Sequence, residues 1–224
     1  MNRKHIICCG DSNTHGYCGD AADFDGVPQP GGAMRFSEAS RWPRLVQAAL
    51  GEEYLIIEEG LNGRTTVFED PFRNGITGAG YIWPCLMSHK PVDLLILMLG
   101  TNDAKEWYGA SPERICAGME YLVCRAQNTP CWTKKGPNIL VVAPPPIAAG
   151  FEDTESFAEF GPEARDKTLA LAPLYEKAAH RLGCAFFDAG PVSEINRVDC
   201  VHMTRRGCRS LGAALVEIIP GLCV

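Results

Sequence analysis

The chain opens without the long apolar run that export or membrane insertion requires. Met1-Asn2-Arg3-Lys4-His5 leads into Ile6-Ile7-Cys8-Cys9, and Gly10-Asp11 ends that run. It is far shorter than a signal-peptide core or the roughly 20 apolar residues of a spanning helix. The expectation is a cytoplasmic protein with no membrane partner. A basic stripe is also missing. The 21 Lys and Arg residues are outnumbered by 27 Asp and Glu, for a net charge of -6, which disfavours nucleic acid as a partner. Eleven cysteines are present, but their number is odd and no two form a C-x-x-C pair. That argues against a disulfide framework and against a structural zinc site. No H-E-x-x-H or comparable partner cluster occurs, which argues against a catalytic metal site. Internal repeats and low-complexity tracts are absent as well, and 1–224 reads as one domain.

Five short apolar runs punctuate the chain: His5–Cys9, Tyr54–Glu58, Val92–Leu99, Asn138–Ala143 and Ala185–Asp188. Each has the length and composition of a buried strand. Segments with helical spacing or helix-start signals alternate with them, at Arg41–Leu50, Pro112–Gln127, Pro162–Leu182 and Thr204–Ile219. Ser111-Pro112-Glu113 places a capping residue before a proline at the first helical position. This alternation predicts an α/β fold, a three-layer α/β/α sandwich on a five-stranded parallel sheet of flavodoxin-like type. Tyr17–Ser40, Glu69–Pro91 and Ala143–Gly161 take no assignment and are read as loops near the carboxyl rim of the sheet, where ligands bind.

Four blocks fall at that rim. Gly10-Asp11-Ser12 follows the first strand, so a tight turn would present the Ser12 hydroxyl and the Ser12 N–H. Gly10 would allow the sharp path, and Asp11 can accept loop amides. In Glu58-Glu59-Gly60-Leu61-Asn62-Gly63, the glycines let the main chain approach a ligand, and the Gly63 N–H could donate to an oxyanion. Leu99-Gly100-Thr101-Asn102-Asp103 closes the most apolar strand. There Asn102 offers a carboxamide donor that does not titrate, and Asp103 takes a structural role. Asp199-Cys200-Val201-His202 precedes the last helix. In a helical turn the Asp199 carboxylate would reach the His202 imidazole and orient it as a base. Of the other histidines, His15 alone competes, three residues past Ser12.

In this order the blocks resemble the SGNH hydrolases, or GDSL esterases and lipases, whose four lettered residues correspond to Ser12, Gly63, Asn102 and His202. Glu58-Glu59-Gly60-Leu61, Arg64-Thr65-Thr66, Met98-Leu99-Gly100-Thr101-Asn102-Asp103 and Val141-Val142-Ala143-Pro144-Pro145-Pro146 are closer to the oligomeric arylesterase and acyltransferase branch. The resemblance implies a serine esterase acting on small short-chain acyl esters through an acyl-enzyme. Ser12, Asp199 and His202 would be its triad, and Ser12, Gly63 and Asn102 its oxyanion hole. It also implies that no metal or organic cofactor is needed, implies a homo-oligomer and leaves acyl transfer open. A carbohydrate acetylesterase is the alternative of the same chemistry; a cysteine-based redox or metal-binding protein is the alternative of another class. Asn13 departs from the leucine frequent in the family, a change expected to bear on pocket lining. Trp83, Trp107, Tyr108, Phe151 and Phe157 are candidates to narrow that pocket or, equally, to pack the core or a subunit contact.

Overall fold

The computed structural model describes residues 3–133 and 135–223. Met1, Asn2, Lys134 and Val224 therefore lie outside the described part of the expected 1–224 domain. Five strands form the sheet: β1 (Lys4–Gly10), β2 (Tyr54–Gly60), β3 (Leu94–Met98), β4 (Ile139–Ala143) and β5 (Ala185–Asp188). Their order is β2-β1-β3-β4-β5, and every neighbouring pair is parallel. The helices are α1 (Ser12–His15), α2 (Trp42–Leu50), α3 (Gly78–Ser88), α4 (Pro112–Gln127), α5 (Phe157–Phe160), α6 (Ala164–Leu169), α7 (Leu171–Arg181) and α8 (Arg205–Leu222).

Alternation along each strand divides the core in two. Ile7 and Cys9 of β1 and Leu95 and Leu97 of β3 join the cluster under α3, α4 and α7. Ile6, Cys8, Leu94 and Ile96 face the opposite way, against Trp42 and Val46 of α2 and Leu211 and Leu215 of α8. This is the expected three-layer sandwich. Because both faces of the sheet are covered, β3 and β4 are buried at every position and read as unbroken apolar runs.

The elements depart from the expected pattern in several places, among them α5, which lies in the stretch 143–161 read as loop. Residues 78–88, read as loop, form α3. Glycines at 78 and 80 and a proline at 84 all work against a helix in isolation. Burial of Ile82, Cys85 and Leu86 overrides that, and the Thr77 hydroxyl caps the first turn by accepting from the Gly80 N–H. The single helix expected over Pro162–Leu182 is interrupted at Ala170. Pro173 lacks the N–H that a continuous helix would donate to the Leu169 carbonyl. A short helix, α1, also begins at Ser12 itself.

None of the eleven cysteines is paired in a disulfide, and all but Cys124 are buried. Burial pushes the thiols of the ten buried ones up, Cys9 to about 11 and Cys208 to about 12, which favours the protonated form at neutral pH when no metal is bound.

Candidate active site

In a parallel sheet of this order the direction in which successive strands are added reverses between β1 and β3, and a crevice opens at their carboxyl ends. Ser12 follows β1 and Asn102 follows β3, so the two flank that crevice. Gly63 arrives from the loop after β2. Asp199 and His202 come from the connection between β5 and α8, on the far side of the sheet in sequence. All five residues line one cleft of about 740 Å³.

The turn at Ser12 is held locally. Asp11 caps α1, its Oδ1 accepting the Asn13 N–H at 2.9 Å. Burial raises the Asp11 carboxyl to about 6, against the opposing effects of that N–H, of His202 and of Arg64. Gly10 is required by crowding. A Cβ there would lie 2.1 Å from Thr14 Oγ1 and 2.9 Å from the Met98 carbonyl. Glycine at 10 thus lets α1 fold back onto the end of β1.

Asp199 and His202 meet without the helical turn expected of them. Cys200, between them, adopts φ 58°, and the segment is a tight non-helical turn. Its organiser is the Asp199 carboxylate. Oδ1 accepts the Val201 and His202 N–H groups, both at 2.9 Å, and Oδ2 faces His202 Nδ1 at 2.8 Å. The other ring nitrogen, Nε2, lies 2.9 Å from Ser12 Oγ. Burial alone would raise the Asp199 carboxyl. The hydrogen bond and charge of His202, with the Val201 and His202 amides, outweigh burial and hold it well below the usual carboxylate range.

Gly63 and Asn102 line the same cleft. Gly63 has φ 82°, and a Cβ there would come within 2.7 Å of the Arg73 guanidinium. The adjacent Arg64 anchors the loop by donating from Nη1 to the Gly10 carbonyl at 3.0 Å. One N–H of the Asn102 carboxamide goes to the Arg64 carbonyl at 3.2 Å. The amide carries two hydrogens, which leaves the second for a ligand. Asp103 has the expected structural role. It is fully buried and accepts the backbone and hydroxyl of Thr66. Burial pushes its carboxyl to about 7 although both Thr66 bonds oppose the shift.

The profile of the family described as GDSL-like Lipase/Acylhydrolase matches residues 8–209, which includes every residue of this cluster. The chain belongs to that family. This GDSL hydrolase is similar to the aryl esterase of M. smegmatis, with 37% identity, a TM-score of 0.85 and coverage of 98% of this chain and 99% of that one. It is also similar to a carbohydrate acetylesterase from Sinorhizobium meliloti, at 32% identity and TM-score 0.84, covering 98% and 100% of the two chains. No curated protein matches it in sequence. As a GDSL acylhydrolase with esterases for structural neighbours, it is a carboxylic ester hydrolase.

Three residues of the GDSL hydrolase site escaped the sequence reading. Asn13, expected to line the pocket, is buried beside it and fastens the histidine loop to the serine turn. Its Nδ2 donates to the Val201 carbonyl at 3.3 Å, and its Oδ1 accepts the Met203 N–H at 2.9 Å. Asn196 ties the same loop to itself, donating to Asp199 Oδ1 and to the His202 carbonyl, both at 2.8 Å. Tyr17 packs its ring 4.4 Å from the His202 ring. Its place three residues before Asp199 was the one available sign of Asn196; Asn13 and Tyr17 gave none. Of the five aromatics expected to narrow the cleft, none lines it. Tyr17 and Phe160 do so instead, while Phe151 is buried in the core. His15 does not compete for the serine, its Nδ1 lying 3.3 Å from the Gly60 carbonyl.

Proposed function

We propose that this protein cleaves small acyl esters through a covalent acyl-serine on Ser12. The reading is carried by one observation: His202 bridges Ser12 Oγ at 2.9 Å and Asp199 Oδ2 at 2.8 Å, within the cleft that Gly63 and Asn102 line. In this proposal Nε2 takes the Ser12 proton as Oγ attacks the ester carbonyl, while Asp199 holds the proton on Nδ1 and stabilises the imidazolium. The carbonyl oxygen, now negative, receives the N–H groups of Ser12 and Gly63 and the spare Asn102 amide hydrogen. His202 returns its proton to the departing alkoxide. Water then enters, loses a proton to His202 and attacks the acyl group, and collapse of the second tetrahedral intermediate frees the acid and Ser12.

The acyl group proposed is short, acetyl foremost, with an aryl alcohol as leaving group, as the name of the M. smegmatis relative suggests. One observation favours a sugar hydroxyl in that place. The cleft is also lined by Arg73, Lys105, Asp153, Glu155 and Glu159, all able to hydrogen-bond a polyol, and the S. meliloti relative is named for carbohydrate esters. The same proposal includes transfer of the acyl group to an alcohol in place of water. It includes homo-oligomeric assembly through exposed aromatics such as Trp83 and Tyr121, and a reducing, cytoplasmic setting that suits eleven free thiols. The catalytic unit would be the single domain 1–224. Among the described residues no helix is long and apolar enough to cross a membrane.

Treatment with an organophosphonate tests the nucleophile. A single adduct on the peptide containing Ser12, read by mass spectrometry, is the expected result, and modification elsewhere with Ser12 untouched would refute it. Asn102→Ala tests the oxyanion site. It is expected to lower kcat about 10²- to 10³-fold with little change in KM, the loss seen when one such donor is removed elsewhere. A change confined to KM would mean that Asn102 holds substrate rather than the developing charge.

A further inference from the structure

Glu59, Cys85 and His89 gather a carboxylate, a thiol and an imidazole outside the cleft, and none of the three has a part in the proposed reaction. One ligand atom from each lies within 4.8 Å of the other two. The arrangement follows from the fold. Cys85 and His89 are four apart along α3, with His89 at its C-cap, so they share one face. That face meets the end of β2, which supplies Glu59. Burial is graded across the group. Cys85 is 2% exposed, whereas the side chains of Glu59 and His89 are 17% and 32% exposed. The sulfur thus sits at the closed end and the imidazole at an entrance from solvent.

The carboxylate is already aimed. Its Oε1 lies 2.7 Å from His89 Nε2, and its Oε2 accepts the Tyr81 hydroxyl at 2.5 Å. Tyr81 stands one helical turn before Cys85 on the same face. The Arg64 guanidinium stacks on the Tyr81 ring at 4.4 Å. Its single positive charge is outnumbered once both thiol and carboxyl are ionised.

We propose that Glu59, Cys85 and His89 form a binding site for a thiophilic divalent cation of the zinc class. A thiolate sulfur, an imidazole nitrogen and a carboxylate oxygen are the donor set that selects such ions over calcium or magnesium. Tetrahedral bonds of about 2.0–2.3 Å set ligand atoms about 3.3–3.7 Å apart. The cluster reaches that spacing if Glu59 and His89 separate by less than about 1 Å and the sulfur closes in by a similar amount. The Tyr81 hydroxyl or a water completes the fourth position. On binding, the Cys85 S–H bond breaks, its electron pair passes to the metal and the proton leaves to solvent. A neutral His89 with its proton on Nε2 shifts that proton to Nδ1 by exchange with water, so from the neutral ring one proton is released per ion. Nothing is oxidised or reduced. The bound ion would cross-link α3 to the end of β2.

The test is titration of the reduced, metal-free full-length protein with Co²⁺, followed by competition with Zn²⁺. Cys124→Ser is the parent, because Cys124 is the exposed thiol that could compete. One equivalent of Co²⁺ is expected to bind with a thiolate-to-cobalt charge-transfer band, which Zn²⁺ then bleaches. Cys85→Ser is expected to abolish the band, and His89→Gln and Glu59→Gln to weaken binding more than about tenfold. Circular dichroism establishes that each variant is folded. Absence of the band at one equivalent, or a band that survives Cys85→Ser, would overturn the proposal. Should Cys85→Ser not fold, the half-exposed His89→Gln decides, and an unchanged Co²⁺ affinity there would overturn it equally.

Discussion

Ser12→Ala is expected to lower kcat on an aryl acetate by about 10⁶-fold, the scale on which serine hydrolases lose activity with their nucleophile. The size of the effect follows from the chemistry rather than from stability. The lost hydroxyl is small, and Ser12 is held in place by its backbone and by the Asp11 cap, neither of which the substitution touches. The Gly63 and Asn102 donors would remain, so some residual rate above water is expected, with KM nearly unchanged. Among the described residues, the side-chain oxygen that His202 Nε2 meets is Ser12 Oγ, at 2.9 Å. The measurement is steady-state kinetics on protein whose circular dichroism matches the parent. Activity within about tenfold of the parent would remove Ser12 from the proposed role.

Asp199→Asn is expected to cost about 10⁴-fold in kcat while leaving the fold intact. Asp199 has four donors directed at it: the amides of Val201 and His202, the Asn196 side chain and His202 Nδ1. A carboxylate accepts from all of them. A carboxamide has one acceptor oxygen, so its NH₂ must face either two backbone N–H groups or the imidazole. The second arrangement is the less costly, and it forces the imidazole proton onto Nε2, where the ring can no longer accept from Ser12. The substitution also acts on stability. The Asp199 carboxyl titrates well below its ordinary range in the folded protein, so its ionised form contributes stability above pH 3.8, lost as pH falls below that value. The asparagine variant should therefore be less stable than the parent at pH 7 and lose less on acidification. Thermal melting across pH 3–7 reads this, and parallel curves for the two proteins would contradict it.

Much of the site was legible before folding because the chemistry is carried by residue types at the ends of strands. Ser12, Gly63 and Asn102 each follow a short run read as a strand of one parallel sheet, and such strands end at a common rim. What could not be read was support. Asn13 and Asn196 act through hydrogen bonds to backbone atoms of a loop nearly 190 residues from Asn13 in one case and six residues from Asn196 in the other. Polar residues in loops carry no mark of which main-chain group they will meet. The pocket aromatics failed for a related reason. Whether Phe151 or Phe160 faces the cleft depends on how one irregular segment packs, and periodicity is silent there.

Helix α3 shows the limit from the other side. Its glycines and proline suggest loop, and only docking on the β1–β3 face makes it a helix, which in turn brings Cys85 and His89 to Glu59. Local sequence thus determined the strands, most of the helices, the order of the chemical groups and the family they resemble, because these depend on near neighbours and on burial that repeats along the chain. Tertiary structure alone decided which loop atoms hold the imidazole, which rings wall the cleft and where a weak helix former folds. Each of those outcomes is set by contacts between segments far apart in sequence, whose energies exist only once the sheet has brought them together.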